Sequence, residues 1–235
     1  MALPKLNTPQ YQLELPSTGG KIKYRPFLVK EQKLLMMAQE SENETEVSDA
    51  ISSIITSCTE GVIDAKNSPL FDVEYVFLQL RAKSVGESAE VKVKCPDDNK
   101  TFADVKIKLD DVEVHMTADH TNVVEVTDKI KVIMKYPVLN DMKKVNNQRN
   151  QVDNVFSLLK SCIHEVHDAD VVYNRVDMSD KDIEEFVDSL NTAQFESLMN
   201  FFNTMPKLRH TINVTNPKTK VKSEVLLEGL DSFLA

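Results

Sequence analysis

Residues Tyr24–Ser41 read YRPFLVKEQKLLMMAQES, and within this stretch the chain changes its period. Before it, Tyr11, Leu13 and Leu15, and then Ile22 and Tyr24, recur at every second position, the spacing of a strand. Pro26 has no amide hydrogen and cannot continue a strand ladder, so it marks where the extended segment stops. Beyond it Phe27, Leu28, Leu34, Leu35 and Ala38 recur at helical spacing, with Lys30, Lys33 and Glu40 largely elsewhere on the wheel. Glu31 falls on the apolar side but in the first turn, where a carboxylate can meet the unpaired amides and the positive end of the helix dipole. Met36 points away from the apolar face and Met37 lies at its edge, which suits surface residues or a flexible contact for a second protein.

Working back toward the N-terminus, residues 1–25 read as an extended arm. The runs Tyr11–Leu15 and Lys21–Tyr24 are also spaced to pair as a short hairpin around Ser17–Gly20, and an arm that orders only against a partner is equally compatible. Working forward, Ser41 and Glu44 have capping-box spacing, and Val47, Ile51, Ile54, Ile55 and Cys58 line one face of a second helix ended by Gly61. Ser68-Pro69 starts a third. Its two apolar stripes, Leu70-Val73-Val76-Phe77-Leu80 and Phe71-Tyr75-Leu78, describe a helix sandwiched between layers.

Two hairpins share a grammar. Val91 and Val93 lead into the turn Cys95-Pro96-Asp97-Asp98-Asn99-Lys100, and Val105, Ile107 and Leu109 return. Ile212 and Val214 lead into Thr215-Asn216-Pro217-Lys218-Thr219, and Val221 and Val225–Leu227 return. A duplicated helix-plus-hairpin unit and a chance likeness both fit. A zinc ribbon needs four thiolate or imidazole ligands, and these turns offer Cys95 alone, so the pair resembles degenerate, metal-free ribbons.

Residues 111–128 are acidic and read as a linker. Ile130, Val132, Met134 and Tyr136 then alternate with lysines in a strand that Pro137 ends. Leu139, Met142 and Val145 suggest a short helix, and Asn150 with Asp153 opens a longer one striped by Val152, Val155, Phe156, Leu159, Cys162, Ile163 and Val166. On that helix His164 and His167, three apart, are candidate metal ligands, although imidazoles near a helix C-terminus also meet the dipole. Ser179 with Asp182 and then Thr192 cap two further helices, with Ile183, Phe186, Val187 and Leu190 inward on the first and Phe195, Leu198, Met199 and Phe202 on the second. Phe201 and Met205 are left over as exposed apolar candidates. The tail LLEGLDSFLA presents Leu230 and Phe233 for docking on the core or on a partner.

Composition narrows the function classes. The chain has 235 residues, 41% hydrophobic and 28% charged, with a net charge of −9, which describes a globular protein and argues against wrapping nucleic acid. No segment reads as a membrane span or secretion signal, and three widely separated cysteines suit reduced thiols, so cytoplasmic synthesis is expected. Five glycines leave little from which to build a phosphate loop, and no catalytic signature of known spacing occurs. No catalytic residue and no cofactor is therefore assigned.

The runs RPFLVKE and LLMMAQES, together with MNFFNTMPKLRH and VLLEGLDSFL, resemble the baseplate hub proteins of T-even-type contractile-tailed phages. The resemblance implies an assembly role in the host cytoplasm or a place in the virion tail baseplate, with hub, spike or tape-measure proteins as partners and no enzymatic activity. Docking candidates are Met36, Met37, Phe201, Met205, Leu230, Phe233 and the N-terminal arm. Alternative readings are a phage-encoded cytosolic regulator of a host complex and, less favoured, a metal-binding enzyme. The expected fold is α+β, a helical layer with two antiparallel hairpins and one further strand. It divides into the arm 1–25, a helical lobe 26–110, the linker 111–128 and a second helical lobe 129–235. Cys95, His164 and His167 are the only metal candidates. Metal analysis of the purified protein should thus find less than one equivalent of zinc, and added zinc should leave the melting temperature unchanged.

Overall fold

Pro26 does divide a hairpin from a helix. The computed structural model describes residues 6–41, 43–145 and 150–233. Strands β1 (Tyr11–Glu14) and β2 (Lys21–Tyr24) pair antiparallel, with Tyr11 opposite Tyr24 and Leu13 opposite Ile22. The arm is thus a hairpin docked on its own chain. Leu13, Ile22 and Tyr24 are buried, and Ser17 in the connecting loop donates its amide at 3.0 Å, and its hydroxyl, to the buried Asp72. Burial raises the Asp72 pKa, and the two Ser17 bonds oppose that rise.

Helices α1 (Val29–Glu40), α2 (Glu44–Cys58) and α3 (Leu70–Ser84) follow. Arg25 fixes how α1 leaves the hairpin. Its guanidinium donates to Glu31 Oε1 at 2.9 Å, to the Pro26 carbonyl at 3.0 Å and to the Ser57 carbonyl at 3.3 Å. Glu31 also accepts the Leu28 amide at 2.8 Å, the capping role that its first-turn position implied. Burial pushes the Glu31 pKa up, but Arg25 and the Leu28 amide outweigh it and hold the carboxyl below its ordinary range. The cap of α2 is Asn43, which accepts the Thr45 amide, and not Ser41, whose hydroxyl bonds back to Ala38 and closes α1. Helix α3 is buried on two sides, as its double stripe required, with Phe71, Val73, Val76, Phe77, Leu78 and Leu80 all enclosed.

Strands β3 (Ser88–Lys94) and β4 (Phe102–Lys108) form the first of the two expected hairpins, with Ala89, Val91, Val93, Ala103 and Ile107 buried and the lysines outward. The segment read as an acidic linker holds two strands, β5 (Glu113–His115) and β6 (Val123–Glu125). After it come β7 (Ile130–Met134), α4 (Leu139–Val145), α5 (Gln151–Cys162), β8 (Ile163–Asp168), β9 (Val171–Asn174), α6 (Asp180–Asp188) and α7 (Thr192–Thr204). The chain ends with β10 (Lys207–Thr215), β11 (Lys222–Glu228) and a 3-10 turn, Leu230–Phe233.

These elements form two compact units, one of residues Met1–His115 with Lys207–Ala235 and one of Met116–Pro206. The second hairpin therefore belongs with the N-terminal elements, not with a C-terminal lobe beginning at 129. The reason is pairing: β10 bonds to β11 on one side and to β5 on the other, with Lys207 opposite His115.

Within the first unit the two hairpin turns interlock. Asn216, fully buried, donates its side-chain amide to Asp97 Oδ1 at 2.9 Å and Oδ2 at 3.1 Å, and Thr219 donates its hydroxyl to Asp97 Oδ2 at 2.5 Å. The Asn216 oxygen accepts the Lys218 and Thr219 amides, so each polar end of the side chain is satisfied. The turns share a backbone form. The fifth residue of each is left-handed, Asn99 at φ 52° and Lys220 at φ 64°, and its amide bonds to the carbonyl of the first, Cys95 or Asn216. This likeness of the turns is more specific than the alternating strands that suggested it.

The second unit packs a four-stranded sheet, ordered β6-β7-β8-β9, with α4 to α7. Val132, Met134, Leu159, Cys162, Ile163, Val166, Ile183, Leu198 and Phe202 lie in its core. Asn150 caps α5 and Ser179 with Asp182 caps α6, as read; α7 is capped by Asn191 with Gln194 rather than by Thr192. The expected long helix stops at Cys162. Pairing with β7 runs Ile133 to Glu165 and Met134 to Ile163, so the ladder skips His164 as a bulge. A bulge lets Ile163 and Val166, three apart, face the same core, and that spacing imitates a helical stripe.

Asn216→Ala should destabilise the first unit by about 2 kcal/mol, since it removes the clasp bonds and strands two turn amides; chemical denaturation checks this. The Asn216 and Thr219 bonds hold the Asp97 pKa below its ordinary 3.8. Its contribution is therefore complete above about pH 4 and is lost on further acidification.

Candidate functional site

The outward face of α1 is the strongest candidate surface. The helix meets its unit through a narrow stripe, buried Glu31 and Ala38 with half-buried Leu35 between them. Leu34, expected inward, is exposed instead. The opposite side presents Val29 at 80% exposure, Met36 at 54% and Met37 at 58%. These three, with Gln32, Lys33 and Glu40, line an open groove of about 390 Å³. Positions 29, 33, 36, 37 and 40 fall on one helical face. Methionine offers a partner a polarisable, reshapeable contact there, and the Arg25–Glu31 pair fixes the helix that carries it.

The remaining docking candidates are not on the surface. Phe201, 2% exposed, stacks with Tyr136 at a ring-centroid distance of 5.7 Å, meets His120 tilted at 5.2 Å and meets Phe202 edge-on. Met205 is half-buried against the same core. Leu230 and Phe233, 6% and 0% exposed, plug the core of the first unit. The second flank of α7 is covered by residues far off in sequence, which one helical wheel cannot reveal. His120 is the group the sequence did not single out. Its Nδ1 lies 3.0 Å from the Thr204 hydroxyl and its Nε2 3.1 Å from the Tyr136 hydroxyl, and burial lowers its pKa, so it pins the 116–122 loop as a neutral ring.

The metal candidates are dispersed. Cys95 is buried at the base of its turn, where desolvation and the Asp97 and Asp98 carboxylates raise the thiol pKa, the wrong direction for a thiolate ligand. The first and fourth positions of the two turns hold Cys95, Asp98, Asn216 and Thr219, and Asp98 is engaged by Thr101 and the Lys100 amide. His164 and His167 sit on a strand, not a helix. His167 Nε2 lies 2.7 Å from Glu165, while the bulged His164 is 3.9 Å from it. Among the described residues no three His, Cys, Asp or Glu side chains gather as a metal site.

A polar cleft of about 390 Å³ in the second unit is lined by Lys135, Asp141, Lys160, Arg175, Asp180 and Glu184. Six of its charges pair internally, Lys135 with Asp141 and Lys160 with Glu184 at 2.9 Å, and Arg175 with Asp180 at 2.6 Å, while Lys181 at its edge pairs with Glu185 at 3.2 Å. Mutual neutralisation leaves the cleft little field for a charged ligand. Among the described residues no helix is long and apolar enough to cross a membrane.

Comparison with known proteins adds the family. No curated protein and no solved structure matches the chain. The family model described as T4 bacteriophage base plate protein matches residues 8–235. That match takes in both units, the interlocked turns and the methionine-bearing helix, and the chain belongs to the T4 bacteriophage base plate protein family.

Proposed function

We propose that this baseplate protein acts at the hub, as a hub component or hub-assembly factor that works by docking to other baseplate proteins and performs no chemistry of its own. The observation that carries the reading is the outward face of α1, where Val29, Met36 and Met37 stay exposed on a helix whose base is locked by Arg25 and Glu31. Large apolar residues held rigidly in water gain free energy only when something covers them. The hub assignment is supported by the resemblance of RPFLVKE, MNFFNTMPKLRH and VLLEGLDSFL, and the baseplate family narrows the partners to other baseplate proteins.

The double substitution Met36→Asp and Met37→Asp tests the surface. Both residues are exposed, so the cost to folding is the lower helix propensity of aspartate and its clash with the C-terminal dipole, about 1 kcal/mol each. Capture of baseplate proteins from infected cells should fall at least tenfold. Undiminished capture would remove α1 from the interface, and capture of wedge proteins without hub or tape-measure proteins would overturn the hub assignment. Abundance in purified virions separates the two roles: a component is retained in mature particles, and an assembly factor is lost from them.

A further inference from the structure

Strand β9 is an uncovered edge of the second unit's sheet. It pairs with β8 along one side, from Val171 opposite Asp168 to Asn174 opposite Glu165, and ends the order β6-β7-β8-β9. Arg175 extends that ladder by donating its amide to the His164 carbonyl at 2.9 Å. Antiparallel alternation then turns the backbone groups of Val171 and Tyr173 toward β8. It directs the Val172 amide and carbonyl and the Asn174 amide to the open side. The Asn174 carbonyl accepts the Asp177 amide at 2.9 Å. Val171, Val172 and Tyr173 are each about half exposed, and successive side chains take opposite faces, so neither face of the edge is covered.

Edges of this kind are normally guarded by charged side chains, proline or a bulge, which keep a sheet from recruiting further strands. Strands β3, β4 and β11, which also end their sheets, carry lysines, and β6 carries Glu125. Among the described strands β9 alone has no charged residue, and its ladder with β8 runs without a register shift. The charges gather at its ends instead. Asp168 and Asp170 lie at the turn into β9 and Asp177 follows it, all three exposed. Among the described residues none of the three is in an ion pair. Lys129, whose carbonyl accepts the Ala169 amide, stands at the first end, and Arg175 at the second is held by Asp180. An apolar centre between acidic ends fits a strand of the opposite charge.

We propose that β9 is a docking edge for an extended, basic segment of another baseplate protein, which joins the sheet as a fifth strand. The segment pairs its backbone with Val172 and the Asn174 amide, and its alternating apolar side chains lie beside Val171, Val172 and Tyr173. Lysine or arginine at its ends meets Asp168 and Asp170 on one side and Asp177 on the other. Main-chain bonds supply the attachment, and the acidic ends select among partners by charge. A second copy of this chain is the poorer fit, because its own β9 brings the same acids to the edge. The inference rests on the baseplate family for the source of the segment, and not on docking through α1 or a place in the hub.

Overlapping synthetic peptides from the other baseplate proteins of its phage, titrated against the full chain, test it. Those that bind should carry lysine or arginine around alternating apolar residues, and should slow hydrogen exchange at Val172 and Asn174. Val172→Pro removes the outward amide and spares the ladder to β8, so affinity should fall at least about tenfold. Asp170→Lys with Asp177→Lys, both exposed, should cause a similar loss without altering the backbone, which keeps the test open if the proline variant fails to fold. Met36→Asp with Met37→Asp should leave peptide binding unchanged, so failure here and failure of the α1 surface are read separately. No bound peptide, bound peptides that are neutral or acidic, or affinity that both β9 variants preserve would overturn the proposal. A dimer in sedimentation that Val172→Pro dissolves would also overturn it, by assigning the edge to a second copy.

Discussion

The bond between Asp97 and Asn216 joins two turns 119 residues apart in sequence and ties the two segments of the first unit together at their turns. Everything from Met116 to Pro206 folds as a separate unit inserted between β5 and β10. The flanking strands must find each other across that insertion, and closing so long a loop costs chain entropy that local contacts cannot repay. The pairing of β10 with β5 supplies three residue pairs, while the clasp fixes the far end of the same hairpin. Pinning both ends of β10–β11 sets its register, and a slip by one would turn Ile212, Val214 and Leu227 out of the core.

Charge burial elsewhere follows the same economy of satisfied bonds. Arg25 and Glu31 are enclosed as a pair, with the guanidinium also covering the Ser57 carbonyl and the Arg25 amide the Cys58 carbonyl at the end of α2, where the helix dipole is negative. Asp72 is enclosed with a serine, and Asn216 with an aspartate and two amides. Each group would cost more alone than it gains paired. Such contacts specify geometry more than they add stability: they choose one docking of hairpin on helix from many of similar apolar area. Glu74 is the contrast, a carboxylate with a single amide donor and two acids for company.

The sequence was legible where one element contains its own answer. The change of period at Pro26, the first-turn place of Glu31, the double stripe of α3, the capping box at Asp182, and the β3–β4 and β10–β11 hairpins are local features, and each appears as read. Illegible features needed two distant segments. The bulge at His164 preserved a three-residue spacing, so a strand imitated the last turn of a helix and two histidines were put on a face that does not exist. β5 and β6 are three residues each, too short to show alternation. Phe201 was surplus to its own helical stripe and was read as exposed, whereas His120 and Tyr136 cover it; Phe233, open between core and partner in the sequence, is buried in the core.

Family likeness and candidate docking surface share one stretch of this chain. The recognisable phrases mix interior and surface residues, and Val29, Met36 and Met37 themselves lie in RPFLVKE and LLMMAQES. RPFLVKE carries Phe27 and Glu31, MNFFNTMPKLRH carries Phe201, Phe202 and Leu208, and VLLEGLDSFL carries Leu227, Leu230 and Phe233, all buried. Interior residues are constrained by one another, so a likeness built on them reports the fold. Val29, Met36 and Met37 contribute almost nothing to that interior, and helix propensity would accept many replacements for the methionines. On the proposed docking role, what keeps them apolar lies in a partner. A docking surface is therefore marked less by any motif than by large apolar side chains that folding leaves uncovered.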